Sequence, residues 1–248
     1  MGEVDLERLA AGYRHRPASR ASLRRAAAEA SAAGLGPGTV ALDVGGGRGE
    51  HAAVFAGTGA VAVVLDRSGT MAAAAGRRPG VAAVVGDARR MPVRDAVASL
   101  VYFHVSLHYG GWETMLAEAA RVARPDGVVS VWTFSTDHFG ASFPARWFPS
   151  VPAIDRERFP EPSAVAARLA ALGLSEVTVT AGPEEVERRA GDWAAAAAAG
   201  FISTLQLLPP GELAGGLARF REAHPDPDER LRYILDYRRI AGRVPRLR

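Results

Sequence analysis

Between residues 38 and 134, short β-branched apolar runs alternate with helix-length stretches rich in alanine. The runs are TVALDVG (39–45), VAVVLD (61–66), VAAVVGD (81–87), VASLVYFH (97–104) and VVSVWTF (128–134). Their apolar positions are consecutive rather than alternate, the mark of strands covered on both faces in a parallel sheet. Helices are expected at about 49–57, 69–76 and 112–123, the last opening after Gly110-Gly111 and closing before the turn Arg124-Pro125-Asp126-Gly127. The pattern predicts a doubly wound α/β fold, whose ligands bind beyond the carboxyl ends of the strands.

Two regions interrupt this rhythm. Residues 5–33 read as one or two amphipathic helices, with Tyr13 and His15 near a break at Pro17, and suggest a helical cap over 1–36 ahead of one domain at 37–248. After the fifth run, 134–160 is long, rich in proline and aromatics, and lacks clean periodicity, as lids and binding loops do. Order then returns: a helix at 163–173, a strand at 176–182, helices at 192–207 and 211–223, and a closing strand near 231–243.

Composition narrows the chemistry. With 248 residues and 48% hydrophobic content, the chain can bury the core of one large α/β domain. It has no cysteine, which excludes disulfides, thiolate nucleophiles and cysteine metal sites and fits a reducing cytosol. All 30 basic residues are arginine. Without lysine there is no Schiff-base chemistry, no Walker A lysine and no Tyr/Lys dehydrogenase pair. The net charge is +3 and the arginines are scattered, which speaks against a nucleic-acid partner. The start, MGEVDLERLAAGYRH, has acids where a signal peptide needs a basic flank, and no stretch is apolar enough to span a bilayer. A soluble, cytoplasmic protein is expected.

The turn ALDVGGGRGEHA (41–52) carries the most chemistry. A dinucleotide turn, G-x-G-x-x-G, would need glycine where Glu50 stands, and Asp43 at its mouth would repel a pyrophosphate while attracting a cation. S-adenosylmethionine (SAM) carries an ammonium and a sulfonium and no phosphate, so it suits such a turn. Gly45, Gly47 and Gly49 let backbone approach a ligand, and Asp66 and Asp87, at later strand ends, can accept bonds from hydroxyl and amino groups.

The run Asp43-Val44-Gly45-Gly46-Gly47-Arg48-Gly49 resembles motif I of class I SAM-dependent methyltransferases, an acid followed by G-x-G-x-G. The resemblance continues in order, over roughly 38–134. Asp66 stands where the family's acid takes the ribose hydroxyls. Asp87-Ala88, in GDARRMP, stand where adenine is recognised, His104 ends the fourth strand, and ARVARPDG (120–127) is similar to the turn before strand five. The resemblance implies a Rossmann-like, seven-stranded, mostly parallel sheet with helices on both faces, an N-terminal helical cap and a lid region. It also implies SAM as cofactor and S-adenosylhomocysteine as product, held by Tyr13, Asp43, Gly45, Gly46, Gly47, Gly49, Asp66, Arg67, Met71, Asp87, Ala88, Phe103 and His104. The implied partner is a small-molecule acceptor with an O, N or C nucleophile, its site shaped by 134–160 and 192–223.

His104 and His108, in HVSLHYGGW, have the spacing of a metal pair, but no third ligand is evident and no metal site is expected. As catalytic candidates, either imidazole can take a proton from the acceptor. The alternative is that His104 packs beside the cofactor and His108 caps a loop, since positioning alone supplies much of the rate in many members. Tyr109, Trp132, His138, Trp147 and Phe148 are candidates for binding the acceptor, and Asp137-His138 is a second acid/base pair. Equally, Trp132 can be a core residue of strand five, and Trp147 and Phe148 can pin the loop. Other functions stay open: a SAM-binding protein that does not methylate (a partner subunit, or an elimination or cyclisation enzyme), an RNA methyltransferase, or a nicotinamide-dependent oxidoreductase, against which Asp43 and the missing lysine speak. Monomer and homodimer also remain open.

Overall fold

The computed structural model describes residues 4–13 and 18–246. In chain order its helices and strands begin with α1 (Leu6–Gly12), α2 (Arg20–Ala32), β1 (Val40–Val44), α3 (Glu50–Ala56), β2 (Val61–Asp66), α4 (Gly69–Ala75), β3 (Val81–Val85) and β4 (Ala98–His104). There follow α5 (Trp112–Val122), β5 (Ala123–Phe134), α6 (Thr136–Ala141), α7 (Val151–Arg158), α8 (Pro162–Ala171) and β6 (Ser175–Ala181). The chain closes with β7 (Glu184–Arg189), α9 (Ala190–Ala198), α10 (Glu212–Ala223), β8 (Arg230–Leu235) and β9 (Tyr237–Arg243). Contacts divide these into two units, one of residues 18–133, 160–181 and 238–248, the other of 1–17, 134–159 and 182–237.

The first unit is built on a seven-stranded sheet in the order β3-β2-β1-β4-β5-β9-β6. β3, β2, β1, β4 and β5 pair in parallel, and β6 is antiparallel to β9. The expected α/β, mostly parallel sheet is therefore present. Because side chains alternate across a strand, each strand divides its residues between the faces. Leu42, Val44, Val101, Phe103, Val129 and Val131 share the apolar core with Met115, Leu116 and Ala119 of α5 and Val165 and Leu169 of α8. The other face carries polar groups in register, Asp43 beside Tyr102 and Tyr102 beside Ser130, with His104 beside Trp132 at the strand ends.

α2 and α3 cover this polar face. Ser19 caps α2 by accepting from the Ser22 N–H. The buried carboxylate of Glu29, two turns along α2 from Ser22, accepts from the Trp132 indole at 2.9 Å and from Arg239 of β9 at 2.5 and 2.8 Å. The Arg25 guanidinium lies over the same indole, 4.9 Å from its centre. A cation held on an aromatic face and a fully paired buried acid are both favourable arrangements.

The second unit packs aromatic side chains around Trp193. Phe143 meets that ring edge-on at 5.1 Å and Phe220 lies against it at 4.5 Å. The Phe148 ring occupies the space that a Cβ on Gly216 would fill, 2.3 Å away, so α10 needs glycine there.

Several boundaries differ from the sequence expectation. The segment 134–160 is not irregular: it forms α6, a 3-10 turn at Pro144–Arg146 and α7, each too short to show a period. The expected helix 192–207 ends at Ala198 with a turn at Gly200, whose φ is +68°. The single closing strand is two, β8 and β9, which join different sheets. β8 pairs with β7, EEVERR, a strand with no apolar alternation because its two-stranded sheet is held by cross-strand ion pairs of Glu187 with Arg230 and Arg232. The turn 124–127 is absorbed into β5, with Asp126 at φ +68°. α1 and α2 fall in different units, and the expected break with His15 and Pro17 lies outside the described residues.

Candidate functional site

The carboxyl ends of β1, β2 and β4 bring together the residues expected to bind a cofactor. β1 leads into the glycine turn, where Gly45, Gly47 and Gly49 take φ of +68°, +55° and +72°, torsions that residues with a Cβ seldom adopt. A Cβ on Gly45 would lie 2.5 Å from that of Ser106, whose hydroxyl donates to the Val44 carbonyl at 2.7 Å. Asp66 secures the turn from β2: one oxygen accepts from the Gly47 N–H and the other from the Ser68 N–H, both at 2.9 Å. Ser68 in turn caps α4 at Met71.

Asp43 lies beneath this turn, 1% exposed, with no side-chain partner among the described residues and only the Ala52 backbone N–H turned toward its carboxylate. Burial pushes its pKa up to about 7. The neighbouring charges of Asp66 and Glu50 add to the shift, and the Ala52 N–H opposes it without cancelling it. A buried acid without a side-chain partner carries a large desolvation penalty, so the arrangement calls for a cationic donor.

Asp87 follows β3 and is held differently. Arg89 clamps it through its backbone N–H and its guanidinium at 2.5–3.1 Å, which lowers its pKa to about 2. Arg67, exposed after β2, pulls the same way. Asp87 is thus a fixed anion with both oxygens already engaged. Met71 of α4 is buried, and the Ala88 and Phe103 side chains belong to the apolar core, leaving only their backbone for the strand-end site.

His104 ends β4 half-buried, on the polar face. The sequence reading missed its neighbour His51, whose ring centre is 4.6 Å away. His51 follows the glycine turn at the start of α3, and its Nε2 lies 2.7 Å from the Ser22 hydroxyl. No spacing rule joins residues 22, 51 and 104; only the register of β4 and the packing of two helices does. Immediately beyond His104, Val105 has φ +55°, a strained torsion for a β-branched residue, and its N–H donates to the Trp132 carbonyl at 2.8 Å.

Of the remaining candidates, His108 is buried in a 3-10 turn with its ring 4.1 Å from Tyr109, away from any shared helix face with His104. Among the described residues, no group of three or more acids and histidines could hold a metal ion. Trp132 has its indole tied to Glu29. Tyr13 ends α1 and belongs to the second unit, as do His138, Trp147 and Phe148.

His138 and Asp137 do not form an acid/base pair: Asp137 is exposed and His138 buried. His138 instead stacks on Phe134 at 4.4 Å, and Phe134 on Tyr237 at 4.8 Å. Its pKa is lowered to about 4 by burial, against the pull of Asp236, whose own carboxylate accepts from Ser135.

Residues 42–131 match the family described as methyltransferase domain. A demethylmenaquinone methyltransferase from Mycolicibacterium paratuberculosis is 40% identical over 108 residues, 43% of this chain and 46% of the relative. The Mycobacterium sp. (strain JLS) protein of the same name is 38% identical over 111 residues. The chain thus spans about half the length of these curated relatives. In three dimensions, a putative methyltransferase from an antibiotic biosynthesis pathway of Anabaena variabilis ATCC 29413 aligns with a TM-score of 0.70 at 21% identity, over 88% of this chain and 96% of that one. A Haemonchus contortus phosphoethanolamine N-methyltransferase, solved with S-adenosylhomocysteine, aligns with a TM-score of 0.55 at 14% identity, over 97% of this chain and 53% of that one. These likenesses extend the shared fold beyond the matched segment.

Proposed function

We propose that this chain, whose residues 42–131 match a methyltransferase domain, transfers a methyl group from SAM to an O, N or C nucleophile of a small-molecule acceptor. The observation that supports it most is Asp43, a buried carboxylate with no side-chain partner among the described residues, under a turn whose torsions favour glycine. The residues fit SAM: Asp43 would attract its cationic amino group, Asp66 keeps acceptor capacity on its oxygens for ribose hydroxyls, and the segment at Asp87-Ala88, where Arg89 already engages the carboxylate, would meet adenine through backbone. When bound, the cofactor supplies an electrophilic methyl on a sulfonium, which leaves as a neutral thioether.

The protein's part is to hold, orient and deprotonate. The glycine turn would hold the cofactor close to the backbone, and His104, at the end of β4, would be the base that takes the acceptor's proton. The likeness to the demethylmenaquinone methyltransferases, which lies in the cofactor-binding half, supports the methyl-transfer reading and leaves the acceptor to be found by experiment.

Calorimetric titration tests this. S-adenosylhomocysteine is expected to bind the full chain with micromolar affinity and NADH not at all, and incubation with SAM and an acceptor library to add one methyl mass. Binding of NADH without S-adenosylhomocysteine would overturn the reading, and turnover without the added mass would replace it with a non-methylating enzyme.

A further inference from the structure

We propose that His51 is a positioning residue for His104, acting through a side-chain relay Ser22–His51–His104 that runs from α2 to the end of β4. The proposal rests on the methyltransferase reading, since it gives a role to the base named there.

The geometry fixes His51 on three sides. Its Nε2 is bonded to the Ser22 hydroxyl at 2.7 Å, and Ser22 is itself buried on a capped helix. Its ring meets Tyr102 edge-on at 5.5 Å, and Tyr102 is backed by Phe55 at 5.4 Å. The remaining side lies against His104 at 4.6 Å, with the planes inclined by 54°. A ring bonded through one nitrogen cannot flip without losing that bond, so Ser22 sets which edge of His51 faces His104.

His104 receives the consequence. Its backbone is held by the Val105 N–H bond to Trp132, and its ring lies 4.6 Å from that of His51 and 6.2 Å from that of Tyr102. The packing of the two rings restricts the orientations open to the His104 imidazole, so the edge that His51 presents decides which of its own edges His104 turns outward. The other charged or titratable groups on this face are Tyr102 on β4, Asp43 on β1, Glu50 at the start of α3, Arg25 and Glu29 on α2, and Arg239 on β9. Glu29 is committed to Arg239 and Trp132, so it does not compete for the relay.

The test uses the full chain labelled with nitrogen-15 histidine, the His104 signals being assigned by their loss in His104→Gln. His51→Ala is expected to move the His104 ring nitrogen resonances, whose positions report which nitrogen carries the proton. Ser22→Ala, a milder change, is expected to shift the same resonances in the same sense. S-adenosylhomocysteine affinity, measured in parallel, is expected to stay within about threefold, a factor worth well under one pKa unit. His104 signals unchanged in both variants, in protein that still binds S-adenosylhomocysteine, would overturn the positioning role alone. Wild-type protein that fails to bind S-adenosylhomocysteine would overturn the methyltransferase reading and this proposal with it.

Discussion

A Cβ built on Gly46 would stand 2.6 Å from Cγ of Asp43, so the second glycine of the turn is the lid over the buried carboxylate. Backbone at Gly46 can settle onto Asp43 only because nothing projects from it. Gly46→Ala must push either the turn or the carboxylate aside. It is expected to weaken S-adenosylhomocysteine binding at least about tenfold, a loss of about 1.4 kcal/mol, with an unchanged circular dichroism spectrum.

Asp43 makes stability depend on pH. Its pKa is 3.8 in an ordinary setting and about 7 in the fold, so the folded state binds the proton more tightly than the unfolded chain. Its destabilising effect is absent below the lower value, grows as pH rises toward the upper one and is complete above it, at about 4 kcal/mol. Asp43→Asn removes this slope. Urea melts at rising pH should show wild type falling relative to the variant; parallel curves would refute the assignment.

The same proton must leave when a cationic ligand arrives. At about pH 6, below the raised pKa, S-adenosylhomocysteine binding is expected to release close to one proton, and well above neutrality almost none. Calorimetry in buffers of different ionisation enthalpy measures the number directly.

His138 acts in the opposite direction. Its pKa falls from 6.5 to about 4 on burial, so the unfolded chain binds its proton more tightly. Its contribution is full above the unfolded value and lost as pH falls from 6.5 toward 4, up to about 3 kcal/mol. His138→Phe keeps a ring on Phe134 and is expected to flatten acid unfolding over that range.

Glu29→Ala removes the carboxylate that pairs with Arg239 and accepts from the Trp132 indole. Removing one member of a buried pair leaves the other uncompensated, and a loss of about 3 kcal/mol is expected in chemical denaturation. Double replacement with Arg239→Met should recover part of it.

The parallel strands and the glycine turn were legible because each is a local property of the chain. Five apolar runs report burial on both faces, and an acid followed by G-x-G-x-G reports a backbone that must come close to a ligand. Asp43, Asp66 and Asp87 stand at strand ends whatever surrounds them. What needed the tertiary structure was the state of those groups and the identity of their neighbours. Burial, a sum over distant residues, raises Asp43, while one adjacent arginine lowers Asp87. β7 escaped detection because cross-strand ion pairs need no hydrophobic period. The meeting of Ser22, His51 and His104 is likewise invisible along the chain, because strand register and helix packing, not sequence separation, decide which side chains share a face.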